Sequence, residues 1–187
     1  MTFSTKYLDE TIEILNDLNV AKIEQIAVEL SGVRMCGGRL FVLGVGGSSA
    51  TAAHAVNDFR KMCGIEAYAP TDNVAELTAR TNDDGWHTTF VEWLRTSNVG
   101  GRDAVMILSV GGGTDTTSEN IKLAVDYAKS WGASVLGIVG RDGGHTAKRA
   151  NACLVIPPLY GDRVTAHTEG IASVVLHLLV SHPALAK

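Results

Sequence analysis

The run Gly44-Val45-Gly46-Gly47-Ser48-Ser49 stands between a short apolar stretch and an alanine-rich one that carries His54. Glycines let a backbone approach a ligand closely, and the first turn of a helix offers unpaired N–H groups with a partial positive charge. Ser48 and Ser49 add hydroxyl donors. This chemistry suits a phosphate or the hydroxyls of a sugar. A dinucleotide fingerprint needs glycine at its first, third and sixth positions. Here those positions are Gly44, Gly46 and Ser49, so a monophosphate is the better match. A tight turn without a ligand is the plain alternative.

A second polar run, Ser109-Val110-Gly111-Gly112-Gly113-Thr114 and onward to Asn120, again follows an apolar stretch. It opens a helix for which Thr117 or Ser118 is a suitable cap. Two such turns at neighbouring strand ends make a stronger anion site than either alone. A third turn, Gly140 to Thr146, reads equally well as a simple loop.

Two imidazole–carboxylate pairs complete the set. His54 and Asp58 are four residues apart and share a helix face. Glu169 and His177 are eight apart, and eight steps of 100° bring them within about 80° of each other. Converging, the pairs would offer two imidazoles and two carboxylates to a divalent metal. Taken singly, the first reads as a surface ion pair and His177 as a satisfied interface histidine. His87, His145, His167 and His182 have no comparable spacing and read as surface or structural.

The elements that must position these groups are legible from hydrophobic patterning. Residues 39–45, 104–110, 133–139 and 152–157 are continuous apolar runs, as expected of strands covered on both faces, and 66–70 is a shorter candidate. Helical stretches at 49–63, 119–131, 146–150 and 165–181 alternate with them. The alternation predicts an α/β three-layer sandwich around a doubly wound, mostly parallel five-stranded sheet. Ligands of such sheets sit beyond the carboxyl ends of the strands, where the glycine-rich turns lie. Ahead of the sheet, Leu8, Ile12, Leu15, Leu18, Ile23, Ile26 and Leu30 recur at helical spacing and predict one long amphipathic helix over 5–31, ended by Gly32 and Gly37-Gly38.

Bulk properties narrow the function. With 187 residues and 45% apolar content the chain can bury a full core as a single domain, 1–187. Its net charge of −4, with Lys and Arg scattered, gives no footprint for nucleic acid. No apolar run reaches about 18 residues, and the early acids argue against a secretory leader, so no membrane partner and a cytoplasmic location are expected. Three cysteines, Cys36, Cys63 and Cys153, without paired spacing argue against a disulfide framework or a zinc ribbon.

Together the leading helix, the Gly-x-Gly-Gly-Ser turn with its following His54, the segment Leu77-Thr78-Ala79-x-x-Asn82-Asp83-x-Gly85, the Ser109 turn, the Gly143-Gly144 turn and the last helix resemble the phosphoheptose isomerases of the sugar isomerase (SIS) domain group. The resemblance covers most of the chain. It implies substrate contacts at Gly46, Gly47, Ser48, Asn82, Asp83, Ser109, Thr114 and Glu169. It also implies zinc ligands at His54, Asp58, Glu169 and His177, and a homotetramer. The sequence departs from the family pattern where Val45 replaces Asn, Asp58 replaces Glu and Glu169 replaces Gln. The family's Ser-Thr-Ser-Gly-x-Ser loop is Ser109-Val110-Gly111-Gly112-Gly113-Thr114 here, and the segment down to the helix is longer.

The implied activity is aldose–ketose isomerisation of a small phosphorylated sugar, sedoheptulose 7-phosphate, to a heptose 7-phosphate for surface polysaccharide or lipopolysaccharide precursors. Isomerisation needs a base, an acid and stabilisation of an enediolate. Asp58 is the candidate base and His177 the candidate acid. A non-catalytic sugar-phosphate-binding module and an isomerase of another phosphosugar are the alternatives.

Overall fold

The computed structural model describes residues 1–186. The five apolar runs form strands of one sheet: β1 (Arg39–Gly44), β2 (Glu66–Tyr68), β3 (Ala104–Ser109), β4 (Ser134–Val139) and β5 (Ala152–Val155). They pair in the order β2-β1-β3-β4-β5, and every pairing is parallel. The chain runs outward from β1 to β2, then returns to the other side of β1 for β3, β4 and β5. The reversal falls between β1 and β3, where Gly44 pairs with Leu108.

Parallel strands need crossovers, and these cover both faces. Leu40 and Val42 of β1 point into one core, which includes buried residues of helices α2 (Val20–Met35), α3 (Gly47–Asp58) and α8 (Val164–Val180). Phe41 and Leu43 point into the opposite core, against α5 (Thr89–Thr96) and α6 (Glu119–Ser130). Successive strand residues thus serve opposite layers, giving the expected three-layer sandwich. α3 runs on into a single π-helical turn, Phe59–Cys63, that buries Phe59 and Cys63. Helices α4 (Val74–Asp83) and α7 (Gly144–Arg149) complete the chain with α1 (Phe3–Asn16). Among the described residues no helix is long and apolar enough to cross a membrane.

The leading segment differs from its expectation. It is two helices, α1 and α2, not one, and Gly32 lies inside the second. Asp17 closes α1, and the Asn19 side chain accepts from Lys22 N at 3.3 Å to start α2. A short polar side chain that competes for backbone groups breaks the helix despite the continuing apolar period. The break also changes which face is buried. On α1 Leu8 and Ile12 are exposed, while Ile14 and the carboxylate Glu10 are buried.

Glu10 is tolerated because it is fully paired. Arg163 donates to both of its oxygens at 2.6 and 2.7 Å, and His167 Nε2 lies 3.1 Å away. The ring of Tyr7 stacks on His167, and Thr11 Oγ1 lies 3.4 Å from its Nδ1. This network fastens α1 to the start of α8. The Arg163 guanidinium, aided by His167, holds the Glu10 carboxyl down at about 2 against the opposing effect of burial. A carboxyl whose folded value lies below its ordinary 4.5 adds stability that is complete above that value and is lost as pH falls toward about 2. The difference in melting temperature between the parent and Glu10→Gln should be constant above about pH 5 and shrink between about pH 4.5 and 2. A difference independent of pH would show that the charge is not the source.

Candidate active site

At the sheet reversal two strands end side by side, and each feeds a glycine-rich turn. After β1 the chain turns at Gly46, whose φ of +62° favours glycine, into the first turn of α3. A side chain at Gly44 would stand 2.4 Å from the Ser48 carbonyl, so strand and helix meet only because glycine is there. After β3 the loop from Val110 to Ser118 crosses to α6. Between the two turns opens a cavity of about 480 Å³. Its lining includes Ser48, Ser109, Thr114, Ser118, Arg141 and Glu169.

Several expected substrate contacts therefore share one cavity. Ser48 is only 7% exposed, and its hydroxyl has no hydrogen-bond partner among the described residues. Ser109 Oγ accepts from Gly112 N at 3.0 Å, which holds the second loop while its own proton can still be donated. Glu169 reaches the first turn: a Cβ on Gly47 would stand 2.7 Å from both carboxylate oxygens. Gly46 and Gly47 are exposed backbone at the cavity's edge.

Other placements differ from the expected ones. Thr114 lines the cavity, but its hydroxyl accepts from Thr117 N at 2.9 Å and donates to Thr117 O, so it organises its own turn. Ser118, at the start of α6, has a left-handed φ of +54° and caps nothing with its side chain. The longer loop moves a free hydroxyl from the expected Thr114 to Ser118, and the sequence signal for this was its position directly before the helix. Asn82 and Asp83 are exposed at the end of α4, hydrogen-bonded to each other at 2.7 Å, and do not line this cavity. Thr165 and Arg141 line it and were not singled out beforehand.

The imidazole–carboxylate pairs meet in part. His54 Nε2 lies 3.2 Å and His177 Nε2 3.7 Å from Asp58 Oδ2. The two rings are edge-to-face at 5.1 Å. One ligand atom from each of the three residues lies within 4.8 Å of the others. Glu169 is not in this group. Eight helical residues set its backbone about 12 Å from that of His177 along the axis. Ligands of a tetrahedral zinc stand about 3.4 Å apart for bonds of about 2.0–2.1 Å. Two imidazoles and a carboxylate at these spacings fit such a metal, with small closing movements of half-exposed histidines and one position left open.

The comparisons with known proteins agree with this geometry. No family model matches the chain. A phosphoheptose isomerase from Trichlorobacter lovleyi is 29% identical over 186 residues, covering 95% of this chain and 90% of that protein. One from Syntrophotalea carbinolica is 27% identical, covering 92% and 87%. The solved structure of a phosphoheptose isomerase from Neisseria gonorrhoeae matches with a TM-score of 0.83 at 24% identity, covering 95% of each chain. The five-stranded parallel sheet and its flanking helices are the fold of that solved structure. Over nearly its whole length the chain is similar in sequence to phosphoheptose isomerases.

The placement of the three donors makes the metal test specific. His54→Ala and His177→Ala should each weaken Zn²⁺ binding more than about tenfold in competition with a chromophoric chelator. Glu169→Ala should leave it unchanged. Equal loss in Glu169→Ala would bring that carboxylate into the ligand set.

Proposed function

We propose that this protein is a phosphoheptose isomerase, an aldose–ketose isomerase that converts sedoheptulose 7-phosphate to a heptose 7-phosphate for heptose synthesis. The observation that carries this is the cavity between the two glycine-rich strand ends. Unpaired hydroxyls and helix-opening N–H groups face a volume that suits a phosphorylated sugar. The full-length similarity to phosphoheptose isomerases supports it. The whole chain, 1–187, acts as one SIS-type domain, and the cytoplasm is its proposed location because the charge of a sugar phosphate keeps it from crossing a bilayer.

The phosphate end of the substrate rests against Ser48, Ser109 and Ser118. The sugar chain extends along the junction of α3 and α8 toward Asp58 and His177. In the forward direction a base removes a proton from C1 of the ketose, leaving an enediol(ate), and a proton is returned to C2 as the carbonyl forms at C1. Asp58 is the proposed base. Its Oδ2 lies between two imidazoles, which orient it. His177 is the proposed acid for the substrate oxygens. Glu169 lies between the phosphate end and this group, placed to accept hydrogen bonds from sugar hydroxyls. Zinc is the proposed metal of His54, Asp58 and His177, and the chemistry it would supply there is polarisation of the substrate carbonyl.

A homotetramer is proposed as the working assembly. It is supported by apolar side chains left in solvent on two helices, Leu8 and Ile12 on α1 and Val174 and Leu178 beside His177 on α8. Light scattering should return a mass about four times 19.8 kDa. A monomer at working concentration would reject the assembly.

Turnover tests the reaction itself. Purified protein with sedoheptulose 7-phosphate should give an aldose phosphate by NMR. A donor to a non-reacting phosphate binds ground and transition states alike, so Ser48→Ala and Ser109→Ala should raise KM by about 2- to 12-fold with kcat nearly unchanged. Asp58→Asn and His177→Gln should lower kcat by roughly 10²–10⁴-fold. Near-normal kcat in both would discard the acid–base assignment. Absence of turnover of any phosphosugar by the parent would leave a binding module in its place.

A further inference from the structure

We infer that Arg141 is a substrate-binding residue of this enzyme, supplying the positive charge that the hydroxyls of the second loop do not. The inference rests on the proposed phosphosugar substrate and deepens it. Among the described residues lining the cavity Arg141 is the single cation, beside the carboxylates Glu169 and Asp142. A phosphate dianion entering that field needs a compensating charge.

Three observations bear on Arg141. First, its backbone is costly. Gly143 N donates to Gly140 O at 2.9 Å, which closes a four-residue turn with Arg141 in its second position at a φ of +48°. Glycine, Asn or Asp ordinarily occupies such a position, and a long side chain there is strained. Second, the turn is locked against both phosphate-site elements. A Cβ on Gly140 would stand 2.4 Å from Thr168 Oγ1 on α8 and 3.0 Å from the Val110 carbonyl of the second loop, and Gly140 N donates to Ser109 O at 3.1 Å. The residue after Gly140 is therefore delivered to the mouth of the cavity. Third, the guanidinium is uncommitted: among the described residues it has no hydrogen-bond or ion-pair partner. Its neighbour Asp142 instead accepts from Gly144 N at 3.1 Å. A strained residue with a free cation, held at the edge of an anion site, is explained by a ligand and not by the fold.

The test uses Arg141→Asn, which tolerates the left-handed backbone, and Arg141→Lys, which restores the charge. Arg141→Asn should melt at or above the parent temperature. It should nevertheless raise both the Kd for inorganic phosphate, by calorimetry, and the KM for sedoheptulose 7-phosphate by about 10- to 100-fold, with kcat within about threefold. Arg141→Lys should recover part of both losses. A parent that binds phosphate in an Arg141-dependent way but turns over no ketose phosphate keeps this inference and removes the isomerase. A parent that turns over substrate while Arg141→Asn leaves KM and phosphate Kd unchanged overturns the inference and keeps the isomerase. A parent that binds no phosphate also overturns it.

Discussion

The parallel pairing of β1 with β3 is the contact on which the site depends. Leu40 to Gly44 run beside Ala104 to Leu108, and the chain leaves the two strands in opposite senses. No crossover helix can fill the gap above that pair, so a crevice forms at the carboxyl ends. The two loops that border it both lead into helices, α3 and α6, whose first N–H groups lack partners within the helix. Glycine lets the first loop turn within hydrogen-bonding reach of the crevice, and the Ser109 hydroxyl braces the second. The buried Val, Ile and Leu side chains on both faces keep β1 and β3 in register, and the binding geometry inherits that rigidity.

Around this crevice charge is distributed unevenly. The chain carries a net −4, and two carboxylates, Glu169 and Asp142, line the cavity that is to receive an anion. Arg141 is the single cation among the described residues that line it, and the remaining polar groups are neutral hydroxyls and amides. The opposite arrangement holds at α1, where Glu10 is buried against Arg163 and His167. That network sits on the other face of α8 from Glu169 and steadies the helix that carries both Glu169 and His177. Removing one partner from such a buried set costs more than the pair itself contributes, because the remaining charge is left without compensation.

The strands and both glycine-rich turns were legible because each depends on local pattern: β-branched runs for buried strands and Gly-Gly-Ser for a strand-to-helix turn. His54 and Asp58 were legible because four residues is one helical turn. What escaped depended on information outside the local period. The break at Asp17 to Asn19 interrupts an apolar repeat that continues through it, and Glu10 is buried only because Arg163 and His167 arrive from the far end of the chain. Glu169 and His177 share a face by angle, but only His177 stands in the cluster with His54 and Asp58. Ser118 and Arg141 come to line the cavity through the length of one loop and the backbone of another, neither of which composition reveals.

The most direct measurement is a crystal structure with sedoheptulose 7-phosphate bound to the Asp58→Asn protein, read for the position of the phosphorus. The account predicts the phosphate between the Ser48 and Ser109 turns, with the sugar chain running along α3 and α8 toward residue 58 and His177. A phosphate seated elsewhere, with the crevice above β1 and β3 empty, would contradict it.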